Sequence, residues 1–164
     1  MNKKEGVMES NNLEQLTVED AIFILLYANK DKLIRGRLMF VKQSFLLSKE
    51  IIPQLDEKFE FFPAHFGPFS KVFATKVDKL IQEGYIKTIV SEDNIGNITH
   101  KFSLTDIGKE AASRSFNKLP ESYKNIIIRK RKGWDQLGYF GIVRLVYTKY
   151  PDYTINSKIR DKVD

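Results

Sequence analysis

The sequence predicts a mainly α-helical protein with one small β-hairpin, an α+β chain. Two observations carry this prediction. Apolar residues recur at helical spacing in three successive segments up to Glu83, and the period then switches to two on either side of a polar turn. Hydrophobic content of 42% against 29% charged residues is the balance of a chain that folds around a core. With 164 residues, it is long enough for one domain or one domain with an extension.

The elements follow in order. Residues 1–16 are polar and aperiodic and read as a flexible tail. Thr17 followed by Asp20 forms a capping box, with Asp in place of the usual Glu, and opens a helix to about Asn29. "AIFILLYA" is apolar nearly all round, so this helix belongs inside. "NKDKLIRG" reads as a connector. A second helix, roughly Arg37 to Ile51, carries Leu38, Val41 and Phe45 on one stripe and stops before Pro53. From Gln54 to Phe69 the chain reads as a long loop holding Phe59, Phe61, Phe62, Phe66 and Phe69. So many rings are expected to pack against the body.

Ser70 is placed to cap a third helix to about Glu83, with Phe73, Val77, Leu80 and Ile81 on its inner face. Gly84 supplies its left-handed end. "YIKTIV", "SEDNIGN" and "ITHKFSL" then form strand, turn and strand. Ile98, His100, Phe102 and Leu104 are expected on one covered face. Thr105 caps the next helix. A basic helix from Pro120 to about Lys132 and an apolar one from about Asp135 to Tyr150, closed by Pro151, complete the chain. The apolar surplus of the last helix fits either folding back on the core or pairing with a second copy.

Three helices, a hairpin and a further helix follow the order of a winged helix-turn-helix, and "KLIQEGYIK" with "FSLTDIGKEA" resembles winged-helix regulators generally. The predicted division is a tail over 1–16, a winged-helix domain over 17–112 and a helical C-terminal extension over 113–164. "HFGPFS", preceded by "RLMFVKQSFLL", is similar to the glycine-proline-aromatic-serine element of the phage-associated Panacea or SocA-type antitoxin domains and their YwgA-like relatives. The resemblance covers Val18 to about Ala112. It implies either neutralisation of a toxin or contact with DNA.

The residues exclude several chemistries and favour one. No cysteine is present, which removes disulfides, thiol catalysis and cysteine metal sites. His65 and His100 are 35 residues apart and give no metal-ligand pair, so no metal is expected. His65 has no Ser or Asp at motif spacing, and its ring is expected to pack within the aromatic loop. No phosphate-cradling glycine pattern precedes a helix. No enzyme activity and no cofactor are therefore expected. No apolar run approaches the ~20 residues of a membrane span, and the N-terminus does not read as a secretory signal. A cytoplasmic protein is expected.

Net charge is +6, with 12 cations against 11 acids in residues 1–82 and 15 against 10 in residues 83–164. A basic half points toward a polyanion. The leading expectation is double-stranded DNA, read by the helix after Ser70. Ser70, Lys71, Thr75, Lys76 and Lys79 would contact it, with Lys87 and Lys101 from the hairpin. Arg129, Lys130, Arg131 and Lys132, beside a stacking Trp134, would grip the backbone. Asp78 and the acidic turn "SEDNIGN" oppose this reading. The rival is a protein-binding module, such as a toxin neutraliser, using the aromatic loop and the hairpin tip. By analogy with winged-helix proteins a homodimer is expected.

Overall fold

The computed structural model describes residues 12–30 and 32–158. Most of the expected tail lies outside them, but Leu13 and Leu16, within that tail, are buried. The first helix, α1 (Val18–Ala28), begins with the expected capping box. Thr17 Oγ1 accepts from the Asp20 backbone and the Asp20 carboxylate accepts from Thr17 N. Eight of its apolar side chains are buried, so it forms the centre of the molecule. Asp20 goes in with them and also ties α1 to a later helix, accepting from Ser115 and Lys118. Burial pushes its carboxyl pKa up, but hydrogen bonds from Ser115, Thr17 and Lys118 outweigh that and leave it below the ordinary value.

The expected connector contains a strand, β1 (Ile34–Arg35). Next come α2 (Arg37–Leu46), a π-helical turn over Leu47–Ile51 and a 3-10 turn, Pro53–Leu55. Where a long loop was expected, the chain forms the short helix α3 (Asp56–Phe59) and a hairpin of β2 (Phe62–Ala64) and β3 (Gly67–Phe69). Phe59 is buried, while Phe61 stacks on it at 4.9 Å and meets Phe45 edge-on at 5.1 Å. Tyr150 and Tyr153 close on the same Phe45 ring. The loop therefore docks on α2 and the C-terminal turn, although Phe62 and Phe66 stay exposed.

Helix α4 (Lys71–Gln82) ends at Gly84, whose φ of 83° is the left-handed conformation expected. Strands β4 (Ile86–Glu92) and β5 (Ile98–Leu104) pair antiparallel from Ile86↔Leu104 to Glu92↔Ile98, and β1 adds to the free edge of β5. Ile86, Phe102 and Leu104 are buried, but Val90, Ile98 and His100 on the same face are exposed. The covered face is thus only the base of the hairpin. The seven-residue strands outrun the helices they lean on.

Helix α5 (Asp106–Asn117) contains the boundary proposed near residue 112. Its Gly108 explains part of the "LTDIGKEA" pattern: a Cβ there would lie 1.9 Å from the Tyr85 carbonyl oxygen, so only glycine lets α5 sit against the start of β4. The two expected C-terminal helices run as one, α6 (Glu121–Lys149), broken at Gly138 (φ 69°, ψ −178°) and not near Gly133. Ile127, Trp134, Ile142, Val143, Val146 and Tyr147 join the same core as α1 and α2. Much of the apolar surplus of this segment is spent by folding back, but Phe140, 80% exposed, and Leu137, 48% exposed, face away from that core.

One buried cation fastens α6. Arg131 is fully buried; its Nε donates to both Asp135 oxygens at 3.1 and 3.0 Å, its Nη1 to Leu25 O, and its Nη2 to Lys32 O at 2.7 Å. Asn29 and Gln43 donate to the same carboxylate at 2.9 and 2.8 Å. Removing one partner of such a buried pair leaves the other charge uncompensated. Arg131→Ala is expected to lower stability by about 3–5 kcal/mol, read from urea unfolding; a loss under about 1 kcal/mol would contradict the network's role.

Candidate functional site

The helix expected to meet DNA starts at Ser70, and the geometry of that start corrects one expectation. Ser70 adopts extended backbone angles and its Oγ accepts from Phe73 N at 2.9 Å, as a cap should. The same hydroxyl donates to Phe59 O and is wholly buried. It joins α3 to α4 and has no reach to a base edge.

Beyond the cap, α4 divides as its periodicity demands. Phe73, Val77 and Leu80 point inward, while Lys71, Thr75, Asp78 and Lys79 face solvent. The cations do not stand alone. Glu19 lies 3.6 Å from Lys76 and 3.3 Å from Lys79, and Glu83 lies 3.9 Å from Lys79. Asp78 pairs with Arg37 at 3.5 Å, and Lys71 sits over the Phe62 ring at 5.8 Å. Exposed pairs like these add little to stability, but they neutralise the face. Four cations (Arg37, Lys71, Lys76, Lys79) share it with three carboxylates (Glu19, Asp78, Glu83).

The basic run at 129–132 is not one surface. A helix turns by about 100° per residue, so consecutive cations diverge. Arg129 and Lys132 are exposed, Lys130 is half-buried and Arg131 is interior. Arg131 is therefore a structural ion and not a phosphate contact, and Trp134, 3% exposed, offers no stacking face.

On the hairpin, Lys87 is exposed and Lys101 half-buried. The pairings Arg35↔Lys101, Lys101↔Ile89 and Lys87↔Ser103 put both lysines and Arg35 on the sheet face turned away from the core. The tip is a built turn. Asp93 accepts from Ile95 N at 3.0 Å and Asn97 N at 2.8 Å, and Gly96 turns with φ 89°. The bond from Asn97, above all, holds the Asp93 carboxyl below its ordinary pKa. Around this ordered, acidic tip stand four exposed aliphatic side chains: Ile89 at 46%, Val90 at 58%, Ile98 at 63% and Ile95 at 83%.

Both histidines are exposed, contrary to the packed positions expected for them. His65 lies in the β2–β3 turn, and its carbonyl accepts from Lys158 N at 2.7 Å.

Neither a protein-family model nor a curated protein sequence matches this chain. The resemblance to Panacea and SocA-type domains rests on the "HFGPFS" element with "RLMFVKQSFLL" before it and the helix ending that follows.

That element hides a residue which periodicity alone did not single out. Lys42, on α2, is fully buried and donates from Nζ to Phe66 O at 2.6 Å, holding the "HFGPFS" turn to the core. No carboxylate pairs with it among the described residues. A signal was present: Met39, Phe40 and Val41 on one side and Phe45, Leu46 and Leu47 on the other leave Lys42 and Gln43 no polar face to occupy.

Burial lowers the Lys42 pKa from 10.5 to about 8. Between those values the unfolded chain holds the proton and the folded one has released it. Stability therefore rises with pH across that window, by up to about 3 kcal/mol. Burial raises Tyr139, Tyr147 and Tyr150, which oppose the trend once unfolded tyrosine ionises near pH 10. Subtracting the profile of Lys42→Met, measured by urea unfolding from pH 7 to 10, is expected to leave the rising component. Parallel profiles would show that Lys42 carries no perturbed titration.

Proposed function

We propose that this chain is a protein-binding module whose contact surface is the outer half of the β4–β5 hairpin. The observation that carries the reading is Ile95, 83% exposed at the head of a turn whose backbone is pinned by Asp93. With Ile98 and Val90, which share one face of the sheet, it forms an aliphatic cluster on a projecting element, the kind of surface that marks a protein contact. Glu92 and Asp93 add negative charge at the same place. The partner that fits is a protein with an apolar cleft rimmed by Lys or Arg. A toxin of that surface chemistry would agree with the antitoxin-like resemblance.

The test uses the purified chain as bait in nuclease-treated and untreated lysate. Ile95→Asp with Ile98→Asp is compared with Lys71→Glu with Lys79→Glu, after circular dichroism has shown both variants folded. A partner is expected on the wild type and on the helix variant, regardless of nuclease, with at least a ~10-fold loss on the hairpin variant. Capture indifferent to the hairpin changes, or abolished by nuclease, counts against the reading.

A second reading is binding of double-stranded DNA by α4. It is favoured by Lys71, Thr75 and Lys79 facing solvent along one side of the helix. The carboxylates of Glu19, Asp78 and Glu83 work against it. If four phosphates are neutralised, log affinity for random duplex DNA falls against log salt with a slope of about −3.6. Fluorescence anisotropy reads that slope, and a flat response at micromolar protein removes the idea.

A further inference from the structure

A cavity of about 700 Å³ opens between the β1 edge of the sheet and the middle of α6. Its size is that of a small-molecule site. It lies apart from the exposed face of α4, and the four aliphatics of the hairpin do not line it. Three cations, Lys32, Arg35 and Lys132, stand at its walls; all three are exposed and none forms an ion pair with a described residue. The acid in the wall, Asp135, is already occupied by Arg131, Asn29 and Gln43. Asp135 and Arg131 cancel, and the net charge offered to a ligand is that of the three free cations.

The remaining wall is of a different kind. Leu33 and Met39 are apolar, and the Tyr139 ring lies beside Gly138. No hydrogen bond joins the Tyr139 hydroxyl to a described residue, and a phenol carries its proton at neutral pH, so this hydroxyl can donate.

The walls are preformed. Arg131 holds the carbonyls of Lys32 and Leu33 from behind, β1 is held by its pairing with β5 and by Gly36 N donating to His100 O at 2.7 Å, and Asp135 is fixed by its three donors. Gly138 breaks α6 at the rim, in a backbone conformation that an L side chain disfavours. This deflects the helix beside the cavity.

We infer that this cavity binds a small phosphorylated organic molecule, with its phosphates on Lys32, Arg35 and Lys132 and its apolar part against Leu33, Met39 and Tyr139. Three unpaired cations exceed what one carboxylate would neutralise, and they match a multiply charged phosphate group, with Arg35 able to engage two of its oxygens. The inference stands on the cavity alone and is independent of either reading of the hairpin and α4.

The experiment titrates the full-length chain with metal-free ATP, pyrophosphate and adenosine. Binding is read by the fluorescence of Trp134, the single tryptophan and the neighbour of Asp135, and by thermal shift. Saturable micromolar binding of ATP, weaker competition by pyrophosphate and none by adenosine are expected. Arg35→Gln with Lys132→Gln should weaken ATP by about a hundred-fold or more, roughly the loss of two charge-assisted contacts. Lys71→Glu with Lys79→Glu should leave it unchanged. The inference is overturned if neither ATP nor pyrophosphate gives a saturable response in either measurement up to millimolar concentration. It is equally overturned if the cavity variant binds as the wild type does. A duplex oligonucleotide that saturates the same cations while ATP and pyrophosphate do not would reassign them to a nucleic-acid backbone, and would also overturn it.

Discussion

The Arg131 guanidinium is a full charge sealed inside the protein, and much of the architecture is arranged to satisfy it. Its donors reach the end of α1 at Leu25, the lead-in to β1 at Lys32 and Leu33, and Asp135 one turn along its own helix. Through Asp135 the same cluster takes hold of Asn29 and of Gln43 on α2. Burying such a charge costs several kcal/mol before any bond is made. A cation in this position therefore contributes less to net stability than to fixing where the elements lie. Here it sets α6 across α1 and α2 and holds the edge strand in place. The cavity beside it has rigid walls for the same reason.

A second buried cation does comparable work on α2, one residue before Gln43. Lys42 has one carbonyl to donate to, Phe66 O, and that bond sets the β2–β3 turn on the core. The neighbouring contacts are correspondingly close. Tyr147 lies where a Cβ on Gly67 would meet it at 2.9 Å, and the Ser70 hydroxyl joins Phe59 to the first turn of α4. "HFGPFS" is thus a structural joint. Its glycine admits a ring, its serine is a two-way hydrogen-bonding link, and its exposed Phe66 is a consequence of the turn.

These internal demands decide what is left on the surface. Arg131 is withdrawn from the basic run, and Lys76, Lys79 and Arg37 are matched by carboxylates. Among the groups left without such partners, two sets bear on the proposed contacts, while others, such as Phe140 at 80% exposure, stand elsewhere on the surface. Aliphatic side chains crown the hairpin, and free cations rim the cavity beside β1. A chain with a formal charge of +6 therefore does not present that charge as one basic face along α4. The protein contact proposed at the hairpin and the anionic ligand inferred at the cavity both start from that distribution of charge.

The helices at 18–28 and 71–82, their Thr17 and Ser70 caps, the Gly84 stop and the pairing of "YIKTIV" with "ITHKFSL" were legible in the sequence. Each depends on periodicity or on a bond within a few residues. The inward face of α4 was legible for the same reason. Other features required the fold. A two-residue strand such as β1 has no period of its own and exists because β5 offers it an edge. The burial of Arg131 depends on partners about a hundred residues away, and no local pattern distinguished Gly138, where α6 breaks, from Gly133, where it continues. Local pattern states which side chains can share a face. Whether that face is covered, paired or left open depends on elements distant in the chain, and so only the tertiary structure decided which cations are free to bind and which hold the protein together.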